Sequence, residues 1–325
     1  MPDNQPSRSV SVIIAVYNGG ATVTRAIDSA LAQHFDGFEI IAVNDGSTDD
    51  TAAVLDSYRD RIRVLTIANR GCGGARNAAL EIARGRYLAF LDADDTWTPN
   101  KLAATVAPME RDNSIVLAYS NLAAITPEGS AAEAIVSGPA TRAPSMDDML
   151  SRWWPIIPSS AVVRRNAFIA CGGFDPDFRG ASGYEDAFLW LLLRERGAFA
   201  YIPDKLVTYR TEGPAIRMGK YLPQQALFLA KVQKRHGSKA RGLVRSTRDA
   251  YPAALGYEGL LAVHRGDYPT ARACFIRALR HRPSDLKTAM RLMRTFLPAG
   301  LARSLTGSTA ISQRESPYGV ERGQI

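Results

Sequence analysis

The sequence predicts an α/β protein with a doubly wound, mostly parallel sheet, helices on both faces of that sheet, and a C-terminal helical segment. Four short apolar runs occur within the first hundred residues, at 10–16, 38–43, 62–67 and 87–91, and stretches with helical spacing of apolar residues separate them. Such alternation is typical of parallel strands joined by helical crossovers, which are almost always right-handed. Helical patterns alone fill residues 221–303.

Length and composition limit the possible classes of protein. A chain of 325 residues with 46% hydrophobic residues can bury one large core and a smaller attached unit. The polar N-terminus and the absence of long apolar runs predict neither a signal peptide nor a transmembrane helix. Three widely separated cysteines fit a reducing compartment, so we expect a cytoplasmic protein. The net charge of +8 favours anionic partners without choosing among them.

The remaining elements follow in chain order. A helix over 21–33 follows the first run, residues 48–50 cap a second helix, and the glycine-rich turn 69–74 precedes a helix over 75–83. Beyond the fourth run, the patterns predict a helix near 99–111, strands at 115–119 and 159–163, a helix that opens at 184–186, and an edge strand over 201–210. The Ala/Gly/Pro-rich stretch between them, up to residue 144, is predicted to be irregular.

The C-terminal segment contains one recognisable unit. Residues 255–283 resemble a single tetratricopeptide repeat in the spacing of their glycine, aromatic, alanine and proline residues. One such unit cannot bury its own apolar face, so we predict a helical hairpin packed on the rest of the protein. Residues 286–303 mix Leu, Met and Phe with four basic residues. Two interpretations stay open for them, an amphipathic packing helix or peripheral contact with an anionic membrane face.

Three acids follow the fourth apolar run and form the first candidate site. Asp92, Asp94 and Asp95 stand at the predicted C-terminal end of a buried strand, which is the end where open α/β sheets bind ligands. Mg²⁺ and Mn²⁺ are usually held by one or two carboxylates together with substrate phosphates. The alternative is an acidic turn in which Asp95 caps a helix opened by Thr96.

The other strand ends carry groups that suit a nucleotide. Tyr17 follows the first strand and offers a ring face to a base, and Asp45 follows the second and can accept a hydrogen bond from a base or ribose. Arg70 and Arg76 flank a helix start after the third strand, where phosphate is favoured. Each residue alone has an ordinary structural explanation. Together with the acids, they predict a site for a nucleoside diphosphate and its metal.

Five motifs carry a family resemblance that covers about residues 9–210. VSVIIAVYNGG, IIAVNDGSTDD, NRGCGGARNAAL, YLAFLDADD and GYEDAFLWLLLRERG, in this order, resemble those of the family-2 inverting glycosyltransferases, which have the GT-A fold. The resemblance implies a nucleotide-sugar donor and a divalent metal, Mn²⁺ or Mg²⁺, at a DxD-type motif. It implies that nucleotide is bound by Ala15, Tyr17, Asn18, Asp45, Gly46, Asn69, Arg70, Arg76, Asn77 and Asp92.

The same resemblance implies the metal ligands and the base. The metal ligands are Asp94 and Asp92, with Glu212 as a further candidate, because Glu212 stands where the family commonly has histidine. The acid pair Glu185-Asp186 matches the motif that supplies the catalytic base, and we take Asp186 as the base with Glu185 as the fallback. One carboxylate suffices, because direct displacement inverts the anomeric centre and needs no covalent intermediate.

The residues and the resemblance together predict an inverting, metal-dependent glycosyltransferase that moves a sugar from a UDP-sugar to a hydroxyl of a glycan or lipid-linked acceptor, with no role for nucleic acid. The predicted division is a flexible 1–8, a donor-binding half 9–110, an acceptor-binding half 111–220, the helical segment 221–303 and a polar tail 304–325. The sequence does not fit a dinucleotide-binding oxidoreductase, because no G-x-G-x-x-G follows the first strand. The remaining alternative is a non-catalytic binding module on a GT-A-like domain.

Overall fold

The protein is described by a computed structural model that covers residues 9–125, 131–132, 142–152, 154, 156–178, 184–210 and 214–297. The strands are β1 Val10–Val16, β2 Phe38–Asp45, β3 Arg63–Ile67, β4 Tyr87–Asp92, β5 Thr96–Trp97, β6 Ile115–Ile125, β7 Ala131–Ala132, β8 Ala161–Arg164 and β9 Ala198–Arg210. The helices are α1 Gly20–Leu31, α2 Thr51–Asp56, α3 Gly71–Ala79, α4 Lys101–Arg111, α5 Met146–Ser151, α6 Arg165–Ala170, α7 Glu185–Arg194, α8 Pro214–His236, α9 Arg241–Arg265, α10 Tyr268–His281 and α11 Leu286–Arg294.

The strands form one mixed sheet in the order β3-β2-β1-β4-β8-β6-β9-β5, and β7 pairs with β6. The first four strands are parallel, as the alternating pattern predicted. The strand β8 is antiparallel to β4 and β6, β9 runs parallel to β6, and β5 is antiparallel to β9. The predicted doubly wound, mostly parallel sheet with a helical C-terminal segment is therefore confirmed.

Alternate residues of the central strands enter two separate cores, one on each face of the sheet. In β1, Ile13 belongs to the core that α3, α6 and α7 cover, while Val12 and Ile14 belong to the core that α1 and α4 cover. Side chains of a strand alternate between faces, so a strand that is buried on both faces must be apolar at every position. This explains why the central parts of these strands are continuously apolar. Their polar residues lie towards the strand ends.

Several predicted boundaries are wrong. The helix predicted over 75–83 begins at Gly71 and ends at Ala79, so the glycine-rich turn is itself the first helical turn. The strand predicted to end at Tyr119 continues to Ile125, because β9 pairs with it over its whole length. Thr96 does not open a helix, since Thr96–Trp97 is a short strand paired with β9.

The prediction that residues 201–210 form an edge strand is also wrong. β9 begins at Ala198 and pairs with β6 on one side and β5 on the other. Pro203 is tolerated because the pairing register jumps there: Ser120 faces Ile202 while Asn121 faces Lys205. A bulge leaves the proline nitrogen, which has no hydrogen to donate, outside the ladder.

The C-terminal helices pack on the sheet domain and on each other. Phe228 and Val232 of α8 and Leu243 of α9 join the core beneath α7. The helices α9 and α10 form an antiparallel hairpin closed at Gly266, which has the left-handed φ of 81° typical of a helix end. None of the helices in the described ranges is both long and apolar enough to span a membrane.

Candidate functional site

The sheet brings the predicted donor-binding residues to one edge. Ala15 of β1 lies opposite Val43 of β2 on one side and opposite Asp92 of β4 on the other. The polar residues that follow these strands therefore lie side by side, because parallel strands end at the same edge. Tyr17 is 55% exposed just beyond β1, so its ring is available to a ligand at this edge.

Three loops at this edge lie in close contact. The Asn18 backbone N–H donates to Ser47 Oγ at 3.0 Å, and the Thr48 N–H donates to Asn18 Oδ1 at 2.8 Å. Asn18 has φ of 49°, a left-handed conformation that Asn tolerates better than most residues. Gly46 has φ of 73°, and a Cβ there would come within 2.9 Å of the Asn69 nitrogen. These contacts join the loops after β1, β2 and β3 into one surface.

Asp45 connects the second strand to the start of α3. Its Oδ1 accepts the Arg70 N–H at 2.7 Å, and burial raises the pKa of Asp45 above its usual value. Asn69 and Arg70 are exposed, and Asn69 Oδ1 accepts from the Gly71 N–H at 3.3 Å. The first turn of α3 therefore opens towards solvent beside Arg70, and the N–H groups of a first helical turn have no acceptor within their helix.

Arg76 lies between the two acidic motifs. It is 3% exposed, and its guanidinium donates to Asp92 Oδ1 at 2.5 Å and to Glu185 Oε1 at 3.5 Å. The guanidinium also lies 5.2 Å from the centre of the Phe174 ring. The sequence predicted a phosphate contact for Arg76, and its described partners are instead these two carboxylates. Arg76 thereby joins residues that are 16 and 109 positions away in the chain.

The acid pair at the start of α7 divides into a buried and a half-buried member. Glu185 is 4% exposed and is held by Arg76, whereas Asp186 is half-buried and accepts the Ala187 N–H at 2.6 Å. Burial, and then the Glu185 carboxylate, raise the pKa of Asp186 well above its usual value. A carboxylate whose pKa is raised is a stronger base. Gly73 allows this approach of α3 and α7, because a Cβ there would meet Phe174 at 3.1 Å and Glu185 at 3.4 Å.

The loop after β4 is held by a network that the sequence did not indicate. Ser159 Oγ accepts the Asp92 N–H at 3.0 Å and donates to Asp95 Oδ2 at 2.5 Å. Asp95 is fully buried, and its Oδ1 accepts the Arg210 N–H at 3.2 Å. Burial, and then Asp92 and Asp94, raise the pKa of Asp95 well above its usual value. Asp95 is therefore a structural anchor and not a helix cap.

The loop presents its remaining acid, Asp94, to solvent, and Asp92 lies beside it with a 29% exposed side chain. Within the described ranges, no three His, Cys, Asp or Glu side chains cluster as a ready metal site. The donor set still fits Mg²⁺ or Mn²⁺, because these ions usually take one or two carboxylates and complete their shell with phosphate and water. Glu212, the further candidate ligand, lies outside the described residues.

Two other residues near this edge have clear contacts. The Asn77 amide donates to Phe174 O at 2.7 Å and accepts from Phe174 N at 2.9 Å, so its role in nucleotide binding stays a prediction. Burial raises the pKa of Cys72 to about 12, which keeps it a thiol at neutral pH and disfavours a nucleophilic role.

Comparison with known proteins supports one family. Residues 11–169 match the family model described as Glycosyl transferase family 2. The chain is 44% identical over 115 residues to UDP-Glc:alpha-D-GlcNAc-diphosphoundecaprenol beta-1,3-glucosyltransferase WfaP of Escherichia coli, a match covering 34% of this chain and 45% of WfaP. It is 43% identical over 120 residues to the uncharacterized glycosyltransferase RP339 of Rickettsia prowazekii (strain Madrid E), covering 37% of this chain and 38% of RP339. The chain thus spans less than half the length of these relatives.

Two solved structures share the overall fold of this chain. S. aureus TarS 1-349 superposes with a TM-score of 0.58 at 18% identity, covering 91% of this chain and 87% of TarS 1-349. The mannosyltransferase PcManGT from Pyrobaculum calidifontis, in complex with GDP-Man and Mn²⁺, has a TM-score of 0.57 at 19% identity, covering 94% of this chain and 86% of PcManGT. At these identities the likeness concerns the fold, and it confirms the predicted GT-A architecture.

Proposed function

Because residues 11–169 match the family 2 glycosyltransferase model, we propose that this chain is a metal-dependent, inverting glycosyltransferase that moves a sugar from a nucleoside diphosphate to a hydroxyl acceptor. One observation carries the proposal. Arg76 contacts both Asp92, in the metal motif, and Glu185, beside the proposed base. These contacts support a single site formed by donor and base motifs that are far apart in the chain.

Each part of the site has a task in this reaction. Tyr17 stacks on the nucleotide base, while Arg70 and the first turn of α3 lie where they can contact the diphosphate. Asp94, with Asp92, would hold the divalent metal, which when bound neutralises negative charge on the leaving diphosphate. Asp186 takes the proton of the acceptor hydroxyl. The hydroxyl oxygen then attacks the anomeric carbon, and the bond from that carbon to the diphosphate breaks. The attack comes from the side opposite the diphosphate, so the anomeric configuration inverts.

The relatives support a UDP-sugar as donor. WfaP is named as an enzyme that uses UDP-Glc, and TarS 1-349 has been crystallised with UDP and with UDP-GlcNAc. PcManGT, in contrast, was crystallised with GDP-Man. The WfaP name also specifies a diphosphoundecaprenol-linked acceptor, which supports a lipid-linked acceptor for this chain. Measuring the binding of a panel of UDP- and GDP-sugars would identify the donor.

Replacing Asp94 with Asn tests the donor site. The change keeps the side-chain volume and removes one metal-binding charge, so we expect the gain in UDP affinity that Mn²⁺ provides to fall roughly tenfold or more. Calorimetric titration of UDP with and without Mn²⁺ measures this gain in affinity. Asp36→Asn is the control, because Asp36 is exposed and lies before β2, at the opposite edge of the sheet. An unchanged Mn²⁺ effect in Asp94→Asn would remove Asp94 from the site.

The alternative function is a binding module that holds a nucleotide sugar without transferring it. The same titration cannot separate the two functions, so release of UDP from UDP-sugars with metal must also be followed. Metal-dependent release supports the transferase. Tight donor binding without release, even with glycan and lipid-linked acceptors present, supports the binding module.

We also propose that α11 brings the enzyme to an anionic membrane face, where a lipid-linked acceptor would be found. Leu286, Met290 and Met293 follow one face of this helix, and they are 77%, 55% and 71% exposed. Lys287, Arg291 and Arg294 add positive charge beside this face. An apolar face with flanking basic residues is typical of helices that lie in the membrane interface.

The double change Leu286→Gln/Met293→Gln tests this contact. It removes two exposed apolar side chains without changing charge, so we expect partitioning onto vesicles of phosphatidylcholine and phosphatidylglycerol to fall about tenfold. Co-sedimentation at low and high salt measures partitioning, and Ile276→Gln on α10 is the control, because Ile276 is also exposed. Equal partitioning of the double variant and the control would favour the packing-helix interpretation.

A further inference from the structure

The helix that carries the proposed base begins without the usual capping side chain. Ser, Thr, Asp and Asn are preferred at the residue before a helix, because their side chains accept a hydrogen bond from a free N–H of the first turn. In α7 this residue is Tyr184, and its side chain makes no capping hydrogen bond to the described residues of the helix. Asp186 follows two positions later. The start of α7 therefore lacks the contact that most often fixes a helix end.

The Tyr184 side chain packs instead on α8. Its ring lies 4.9 Å from the ring of Phe228, centre to centre, and the two ring planes are 24° apart. Tyr184 is 3% exposed and Phe228 is 1% exposed. Aromatic rings attract each other at this separation. Because both rings are buried, the stack holds the residue that precedes α7 against α8.

One side-chain amide joins this stack to a third helix. Gln225 Nε2 donates to the Tyr184 hydroxyl at 3.1 Å and to the carbonyl of Thr247 in α9 at 3.0 Å. The two hydrogens of a primary amide can serve these two acceptors at the same time. The start of α7 is thereby connected through α8 to α9, which belongs to the C-terminal helical hairpin.

The helix α8 also contacts the far end of α7. Arg235 of α8 pairs with Glu195, the residue after α7, at 2.5 Å. The two side chains of this pair are 47% and 27% exposed, and ion pairs with exposed members contribute little on their own. We therefore assign the larger part in fixing α7 to the buried contacts of Tyr184.

We propose that Tyr184 is a positioning residue for the base: held by Phe228 and Gln225, it fixes the first turn of α7 and with it the Asp186 carboxylate. A base must lie within hydrogen-bond reach of the acceptor hydroxyl, and a misplacement of about 1 Å can lower a rate about a hundredfold. This inference rests on the proposed function, in which Asp186 takes the acceptor proton. It makes the C-terminal helical segment a part of the catalytic unit, although all five family motifs lie before α8.

The test compares the same substitution at two positions of α8 in the full chain. Gln225→Met keeps the length of the side chain and removes both hydrogen bonds, and Gln233→Met is the control, because Gln233 is exposed on the same helix. We expect Gln225→Met to lower kcat about tenfold, while the KM for the donor and the UDP affinity stay within about twofold of the parent chain. Gln233→Met should match the parent chain in all three quantities.

Tyr184→Phe tests the same hydrogen bond from its other side. The change keeps the stacked ring and removes the hydroxyl that accepts from Gln225. Because Tyr184→Phe and Gln225→Met remove one shared interaction, the chain with both changes should be no slower than the chain with Gln225→Met alone. Additive losses in the double variant would show that the two residues act separately, and this result would overturn the proposal.

Hydrogen exchange gives a readout that needs no turnover. The Phe188 N–H donates to the Tyr184 carbonyl at 3.0 Å, so its protection reports on the first turn of α7. We expect Phe188 to exchange about three- to tenfold faster in Gln225→Met than in Gln233→Met, measured by mass spectrometry with fragmentation. The amides of β1 should exchange at the parent rate in both variants, which separates local opening of α7 from a general loss of stability.

The outcomes divide as follows. Faster Phe188 exchange together with a lower kcat supports the proposal. Equal Phe188 exchange in the two variants overturns it, and so does faster exchange at unchanged kcat or a loss of kcat matched by an equal loss of UDP affinity. If the parent chain shows no turnover with any donor, the proposed function fails instead, and Phe188 exchange alone decides whether α8 fixes the first turn of α7.

Discussion

Replacing Asp186 with Asn is expected to lower turnover by about two to four orders of magnitude, the usual contribution of a general base. The amide keeps the size of the side chain and cannot take the acceptor proton. Donor affinity should stay nearly unchanged, because the proposed donor contacts are made by other residues at the sheet edge. Initial rates with saturating donor and acceptor, together with calorimetric UDP affinity, separate the two effects.

Glu185→Gln is the matched comparison for that variant. Glu185 is buried and already accepts a hydrogen bond from Arg76, which a glutamine oxygen can also accept. We therefore expect a smaller loss of turnover from Glu185→Gln than from Asp186→Asn. Normal turnover in Asp186→Asn together with lost turnover in Glu185→Gln would move the base by one residue. If both variants remain fully active, the motif is structural.

Replacing Arg76 with Gln is expected to lower the free energy of unfolding by about 3–5 kcal/mol, the cost of removing one partner from a buried ion pair. The change leaves Asp92 and Glu185 without their shared counter-charge, and Glu185 is almost entirely buried. Urea denaturation followed by circular dichroism measures the loss. Arg70→Gln is the control, since Arg70 is exposed and surface substitutions usually change stability by less than about 0.5 kcal/mol.

The double variant Arg76→Gln/Glu185→Gln tests the reason for that loss. If an uncompensated carboxylate causes it, neutralising Glu185 in the same chain should restore part of the stability. An unfolding midpoint of Arg76→Gln equal to that of Arg70→Gln would contradict the assignment of Arg76 as the link between the two motifs.

The predicted donor-binding half of the fold could be inferred because the patterns that indicate its strands and turns lie within short stretches of sequence. Strands β1 to β4 are built around short apolar runs, and Tyr17, Asp45 and Asp92 follow from where those runs end. Neither the role of Ser159 nor the partners of Arg76 could be inferred in this way. Ser159 contacts Asp95 across 64 positions, and nothing in its own neighbourhood indicates that partner.

The same limit explains the wrong secondary-structure predictions. Thr96 and Trp97 follow an acidic turn, which locally favours a helix start, and only pairing with Val207 and Thr208 makes them a strand. Pro203 favours an edge position on local grounds, and a register jump in the partner strand removes the conflict. In both places a contact with a distant segment overrides the local preference.

The contact between Asp95 and the Arg210 backbone also sets an order of assembly during synthesis. It closes a loop of 115 positions, and Ser159 enters that loop midway. At translation rates of about 5–20 residues per second, the acids of the β4 loop leave the ribosome roughly ten seconds before their last anchor exists. Closing so long a loop also costs entropy that only late contacts offset. We therefore expect strands β1 to β4 to pair early, and the acidic loop to reach its final conformation among the last parts of the domain.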